Sequence, residues 1–229
     1  MRKFFVRFFL TAIIFFCANN FSVQAHQPPE YSLDEVTVAN ILAKTKTAQA
    51  TNQIALVVGH NFSFWNRTSE GWWRREMDAY CGYGKNGLSY NRHAGDKTTP
   101  VGSFKALYAF GKAQNPGTYM TYRDITPYSY LSSEQATYNT WVESPYRRMS
   151  GEHLTDYYQY KYGMDIGFNQ NPIIYGKGAA IFLHCKSYDR WWTSGCLSLV
   201  EDDMVQVLQL AHNNLYFIIV PTQEEIARY

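Results

Sequence analysis

Two spacings of apolar residues divide this chain. Leu33, Val36, Ala39 and Leu42–Ala43 recur at helical spacing behind the capping-box sequence Ser32-Leu33-Asp34-Glu35, which predicts one amphipathic helix over 33–50. Lys44 to Asn52 reads as a polar linker at its end. From Ile54 the pattern shortens. Ile54–Val58 is an unbroken apolar run closed by Gly59, and Asn61–Trp73 reads as a hairpin turning at Thr68–Gly71. Phe104–Phe110, Tyr157–Gly167, Ala179–Leu183 and Leu215–Val220 are further predicted strands, the last stopped by Pro221. Asp202-Asp203 opens a helix whose Met204, Val207, Leu208 and Ala211 share one face, with the acidic start at the positive end of its dipole. Residues 82–102, rich in glycine, read as a structured loop, and residues 112–160, dense in Tyr, Ser, Thr and Pro, as long loops. Many short strands and few helices predict a mainly β domain without internal repeats.

The first residues carry another signal. Arg2, Lys3 and Arg7 precede an apolar run from Phe8 to Phe16 interrupted only by Thr11, and Val23-Gln24-Ala25 offers small residues to a signal peptidase. Residues 1–25 therefore read as a cleaved signal peptide, 26–51 as an N-terminal helix and linker, and 52–229 as the main domain. The run is shorter than the ~20 apolar residues a membrane span requires, so no stable span is expected after cleavage. Removing 25 of 229 residues leaves 204, and the charge balance becomes 18 basic against 19 acidic residues, net −1. The apparent basicity belongs to the signal, and nothing points to nucleic acid.

The chemistry concentrates near the C-terminus. Phe182-Leu183-His184-Cys185 ends a predicted strand, and Thr193-Ser194-Gly195-Cys196-Leu197 follows after a short loop. A histidine brought beside a thiol can take its proton and leave a nucleophilic thiolate. The backbone N–H groups of Gly195 and Cys196, joined by Ser194, can receive an oxyanion. A third group must orient the imidazole, and with no acid standing out a backbone carbonyl is the candidate. A zinc site built from His184, Cys185 and Cys196 with His60, His93, His153 or His212 is the competing reading. It is the weaker one, because neighbouring strand residues such as His184 and Cys185 point to opposite faces. The mature chain would hold Cys81, Cys185 and Cys196, an odd number. With Cys196 as nucleophile, Cys81 and Cys185 either form a disulfide or stand as two buried thiols.

At these residues the chain resembles the L,D-transpeptidase family, whose catalytic module is the YkuD-type domain. One matching stretch is Ala180–His184 followed by Thr193–Leu197. The other is Gly84-Lys85-Asn86-Gly87-Leu88 followed by Arg92, then Gly95-Asp96-Lys97-Thr98-Thr99-Pro100-Val101-Gly102-Ser103-Phe104, similar to the family's Gly-Asp-x-x-Thr-Pro-x-Gly segment. Together they frame roughly residues 52–220. The resemblance implies a β-sandwich-like domain in the cell envelope, periplasmic or secreted, acting on peptidoglycan stem peptides without a metal or organic cofactor. It maps Cys196 onto the family's nucleophile and His184 onto its general base. Many members carry histidine two positions before the cysteine and arginine two positions after it. Here those positions are Ser194 and Ser198, so the chain is similar to a branch with Thr-x-Gly-Cys. A substrate carboxylate then falls to Arg92, Lys97, Arg190 or Lys186, and Trp191-Trp192 can stack on substrate or cover the site. Asp96, Thr99 and Pro100 are read as shaping their loop. The functional alternatives are a non-catalytic wall-binding protein and a hydrolase of wall-linked peptides.

Overall fold

The computed structural model describes residues 33–229, so the predicted signal peptide lies outside the described residues. The fold is mainly β, and its core is a stack of sheets. The first sheet has five strands in the order Trp73–Tyr80, Asn61–Arg67, Gln53–Val58, Leu215–Val220, Gly102–Lys105. Its two central strands, from opposite ends of the domain, run parallel, and its other pairings are antiparallel. The second sheet runs Leu197–Leu199, Phe182–Cys185, Gly163–Asp165, Ala109–Gly111, Tyr122–Asp124.

Strand alternation explains how the layers bind. Ala55, Val57, Phe62 and Phe64 of the first sheet meet Leu183, Cys185, Leu197 and Leu199 of the second in one buried core. The other face of the first sheet, with Ile54, Leu56 and Trp65, is covered by Val38, Leu42, Ala48 and Ile226. The other face of the second sheet carries Phe110 and Phe182, packed with Leu131, Leu154 and Tyr160. The helix Glu201–Leu210 buries Met204, Val207 and Leu208 in the inter-sheet core, as its pattern predicts.

Several expectations are corrected. The single helix predicted over 33–50 is two, Glu35–Leu42 and Lys46–Ala50, because the Thr45 side chain accepts from Ala48 N and starts a second helix. The first is capped by the Asp34 side chain, which accepts from Thr37 N at 2.7 Å. The predicted polar linker is thus partly helical, with Thr45, Thr47 and Ala48 buried. Phe104–Phe110 is two strands belonging to different sheets, and the chain crosses between layers at 106–108. Tyr157–Gly167 is mostly tight turns before the short strand Gly163–Asp165. The strand expected at Ala179–Leu183 is shifted to Phe182–Cys185. Residues 112–160 are not only loops. They contain a three-stranded antiparallel sheet, Trp141–Glu143, Ser129–Ser132 and Gly151–His153, which we term the cover sheet.

The cover sheet is tied to the second sheet's approach by Asn139. Its side chain donates to Phe168 O and Asn169 O, both at 3.0 Å, and accepts from Ala180 N at 3.0 Å. Ala180 sits at φ 55°, a conformation uncommon without glycine, so this brace supports a backbone turn that its own residue type does not favour.

Candidate active site

His184 and Phe182 share one face of their strand, and Leu183 and Cys185 share the other. His184 is thereby turned away from the inter-sheet core toward the aromatic layer, where the Tyr160 ring lies edge-on to it at 5.5 Å. Cys185 points into the core and its thiol faces Tyr162 O at 3.7 Å, so the two cannot share one ion as the zinc reading required. Cys81, Cys185 and Cys196 are all free and buried; the disulfide alternative is not realised.

Cys196 and His184 line the same cavity, of about 140 Å³, together with Tyr160, Trp191 and Ser194. Both are nearly covered, at 8% and 5% exposure. The Cys196 thiol donates to Ala180 O at 3.1 Å and accepts from Phe182 N at 3.4 Å. Its proton is therefore directed at a backbone carbonyl, not at the imidazole. His184 Nδ1 lies 2.8 Å from Cys185 O. A carbonyl only accepts, so Nδ1 carries the hydrogen and Nε2 is left with a lone pair. Burial pushes the imidazole down to about 4 and the thiol up to about 12. The resting pair is thus a neutral thiol beside a neutral base.

The loop bearing the thiol is held from two directions. Thr193 Oγ1 donates to Cys196 O at 2.6 Å and accepts from Gly195 N at 3.0 Å, which explains a threonine three positions before the cysteine. This corrects the oxyanion expectation for Gly195: its N–H is already engaged. The N–H groups of Ser194 and Cys196 make no hydrogen bond among the described residues. Gly195 has φ 139°, and a Cβ there would meet Thr98 O at 2.9 Å, so no other residue fits. From the Gly-Asp-x-x-Thr-Pro segment, Thr99 Oγ1 donates to Gly195 O at 2.7 Å and accepts from Gly84 N at 2.8 Å. Asp96 shapes the same segment by accepting from Thr98 N and His93 N. Thr99→Val should lower unfolding stability by about 1–3 kcal/mol, since both buried partners lose their hydrogen bond, while Thr99→Ser stays near wild type in the same denaturation series. Equal losses in the two variants would mean that the hydroxyl is not the link.

A second cavity, of about 320 Å³, meets the first at Cys196, Ser194 and Glu152. Arg92 and Lys97 line it. Arg92 is 6% exposed, yet its Nε and Nη1 have no hydrogen-bond acceptor among the described residues. Its nearest carboxylate oxygen is Asp96 Oδ1 at 3.8 Å, and Phe168 lies under the guanidinium at 5.4 Å. Gly178 leaves it room, because a Cβ there would fall 2.1 Å from Nη1. Lys97 is exposed at the rim. Arg190 and Trp191 line the smaller cavity, but Arg190 is exposed, paired with Asp189 at 3.2 Å and stacked over Trp192. Lys186 caps Ser187 O and lies over Trp191. Ser198 is buried and donates to Trp191 O at 3.0 Å while its backbone pairs with Gly82, so the position offers an arginine no space.

Sequence reasoning missed Glu152, Tyr160 and the Ala180 carbonyl. Glu152 stands on the cover sheet and accepts a hydrogen bond from the Tyr160 hydroxyl. Its one visible signal was an acidic residue in a segment otherwise dominated by Tyr, Ser and Thr. Among the described residues no helix is long and apolar enough to cross a membrane, and no group of three or more His, Cys, Asp or Glu gathers as metal ligands do.

Comparison with known proteins gives the family. The model of the L,D-transpeptidase catalytic domain, YkuD, matches residues 60–219. No curated protein matches. Two solved structures of the helical cell shape determining protein Pgp2 from Campylobacter jejuni are similar, one of them of a lysine-to-alanine mutant. They are 13% and 15% identical, with TM-scores of 0.41 and 0.44, over 76% and 82% of this chain. This chain spans 51% and 60% of theirs. The match over residues 60–219 takes in both sequence motifs and the whole of the cavity pair, and the chain belongs to the YkuD family of L,D-transpeptidase catalytic domains.

Proposed function

We propose that the chain is a cell-envelope cysteine acyltransferase that acts on peptidoglycan stem peptides through a thioester on Cys196. The observation that carries this is the junction of two cavities at one sulfur, with an imidazole on one side and, on the other, a buried guanidinium whose Nε and Nη1 make no hydrogen bond among the described residues. Family membership supports the substrate class.

In this reading an entering peptide displaces the thiol proton from Ala180 O, and rotation about the cysteine side chain offers it to His184 Nε2. The thiolate attacks the carbonyl that precedes a terminal D-alanine. The Ser194 and Cys196 amides stabilise the oxyanion. His184 returns the proton to the leaving amine, and D-alanine departs. Arg92 holds its free carboxylate, in the place that an arginine at position 198 cannot occupy. An amine acceptor then gives a crosslink, and water gives carboxypeptidation.

The test is incubation with defined tetrapeptide muropeptides followed by mass spectrometry. Loss of D-alanine, with or without a crosslinked product, is the expected outcome, and intact tetrapeptide after prolonged incubation would remove the reading. The wall-binding alternative draws support from the resting thiol, which burial holds protonated. Labelling with a thiol-reactive carbapenem separates the two, because a binding protein forms no adduct on Cys196.

A further inference from the structure

Glu152 is the acidic side chain common to both cavities, and the other charged side chains that line them, Arg92, Lys97 and Arg190, are cationic. It stands half-buried on the strand Gly151–His153, opposite Leu131, and forms no ion pair among the described residues. Oε2 accepts from the Tyr160 hydroxyl, and burial holds that phenol well above its usual range, so it stays a donor. Oε1 has no partner among the described residues. Tyr160 in turn packs edge-on against His184. Carboxylate, phenol, imidazole and thiol form one continuous cluster.

A carboxylate here is badly suited to the first half of the reaction, because its charge opposes formation of a thiolate at Cys196. Once the sulfur is acylated that conflict is gone. We propose that Glu152 takes the proton from the nucleophile that resolves the Cys196 thioester. This rests on the thioester chemistry proposed above. An O–H bond of water or an N–H bond of a primary amine breaks and its proton passes to Oε1, while the oxygen or nitrogen bonds to the acyl carbon. The tetrahedral adduct collapses, the C–S bond breaks, and its electron pair goes to sulfur. The Glu152 acid then returns its proton to the thiolate, which resets both groups.

Burial pushes the Glu152 carboxyl up to about 7, which leaves it a base with useful affinity for a proton at neutral pH. The titratable and charged groups that line the two cavities with it are Tyr138, Tyr157, Tyr160, His184, Cys196, Arg92, Lys97 and Arg190. Of these His184 is pushed down to about 4, so a rate rising through the neutral range belongs to the carboxylate.

The test compares wild type with Glu152→Gln, which keeps an acceptor for Tyr160. Enzyme in excess is mixed with a tetrapeptide donor, in buffer alone or with a primary amine, and quenched samples are read by intact mass. In the variant D-alanine release should stay within about threefold of wild type, the acyl-enzyme should accumulate, and product formation should fall by ~30-fold or more in both arms. In buffer alone, where water is the nucleophile, wild-type deacylation should rise with pH and level off above about 7, and the variant should lose that rise. A fall confined to one arm still supports the proposal and names the nucleophile, amine or water, that Glu152 serves. Parallel loss of D-alanine release and product formation, or no change in product formation, would overturn it. A wild-type protein that releases no D-alanine removes the thioester reading first, and this inference with it.

Discussion

Replacing Cys196 by alanine is expected to abolish turnover of tetrapeptide donors, with a fall in kcat of ~10⁴-fold or more, because Cys196 supplies the thiol at the junction of the two cavities and the Ser194 hydroxyl beside it is a far weaker nucleophile. The same change eliminates the carbapenem adduct. Alanine at Cys81 or Cys185 leaves both readouts near wild type, since these thiols face the inter-sheet core and not the cavities. Each of those controls removes a buried sulfur and costs stability, so melting curves accompany the kinetics. Adduct formation surviving in Cys196→Ala, or lost in Cys185→Ala alone, would move the nucleophile elsewhere.

The second large effect is expected at Arg92, where function and stability pull apart. A buried guanidinium with two unsatisfied donors is costly to the fold. Arg92→Met keeps most of the volume and the contact with Phe168, and Asp96 retains its bonds from Thr98 and His93. The melting temperature should therefore hold or rise. A charge-assisted hydrogen bond to a substrate carboxylate is worth ~1.5–3 kcal/mol, so KM for a donor ending in free D-alanine should rise by about 10–100-fold. A donor ending in D-alanine amide supplies the control, because wild type and variant should treat it alike. A lower melting temperature with a parallel fall in kcat would instead make Arg92 a structural residue.

The parts legible in the sequence were those with a long period or a dense motif. Ile54–Val58 and Leu215–Val220 read as strands because both their faces are buried, and the helix at Glu201–Leu210 read correctly because its apolar positions keep one face. The Thr193–Leu197 and Gly95–Phe104 segments, which the family resemblance singled out, lie together in the structure, where the Thr99 hydroxyl donates to Gly195 O. What failed was local and short. Strands of three or four residues, as in the cover sheet, are too brief to display an alternation. Glu152 is therefore invisible as a site residue until the chain folds it over Cys196. The helix over 33–50 was overextended because Thr45, which reads as one polar residue among several, caps a second helix. The Gly195 amide was assigned to an oxyanion because sequence cannot show that the Thr193 hydroxyl reaches it first.

The bond from Thr99 to Gly195 joins positions 96 apart, and the first and last long strands of the domain lie side by side in the same sheet. Contacts so distant along the polypeptide form late, after the entropy of closing a large loop has been met. On an unfolded chain Cys196 has neither His184 nor the Thr99–Gly195 bond beside it. The cavity pair around Cys196 therefore exists only once the tertiary structure is complete, and the same burial that builds it holds the resting thiol protonated.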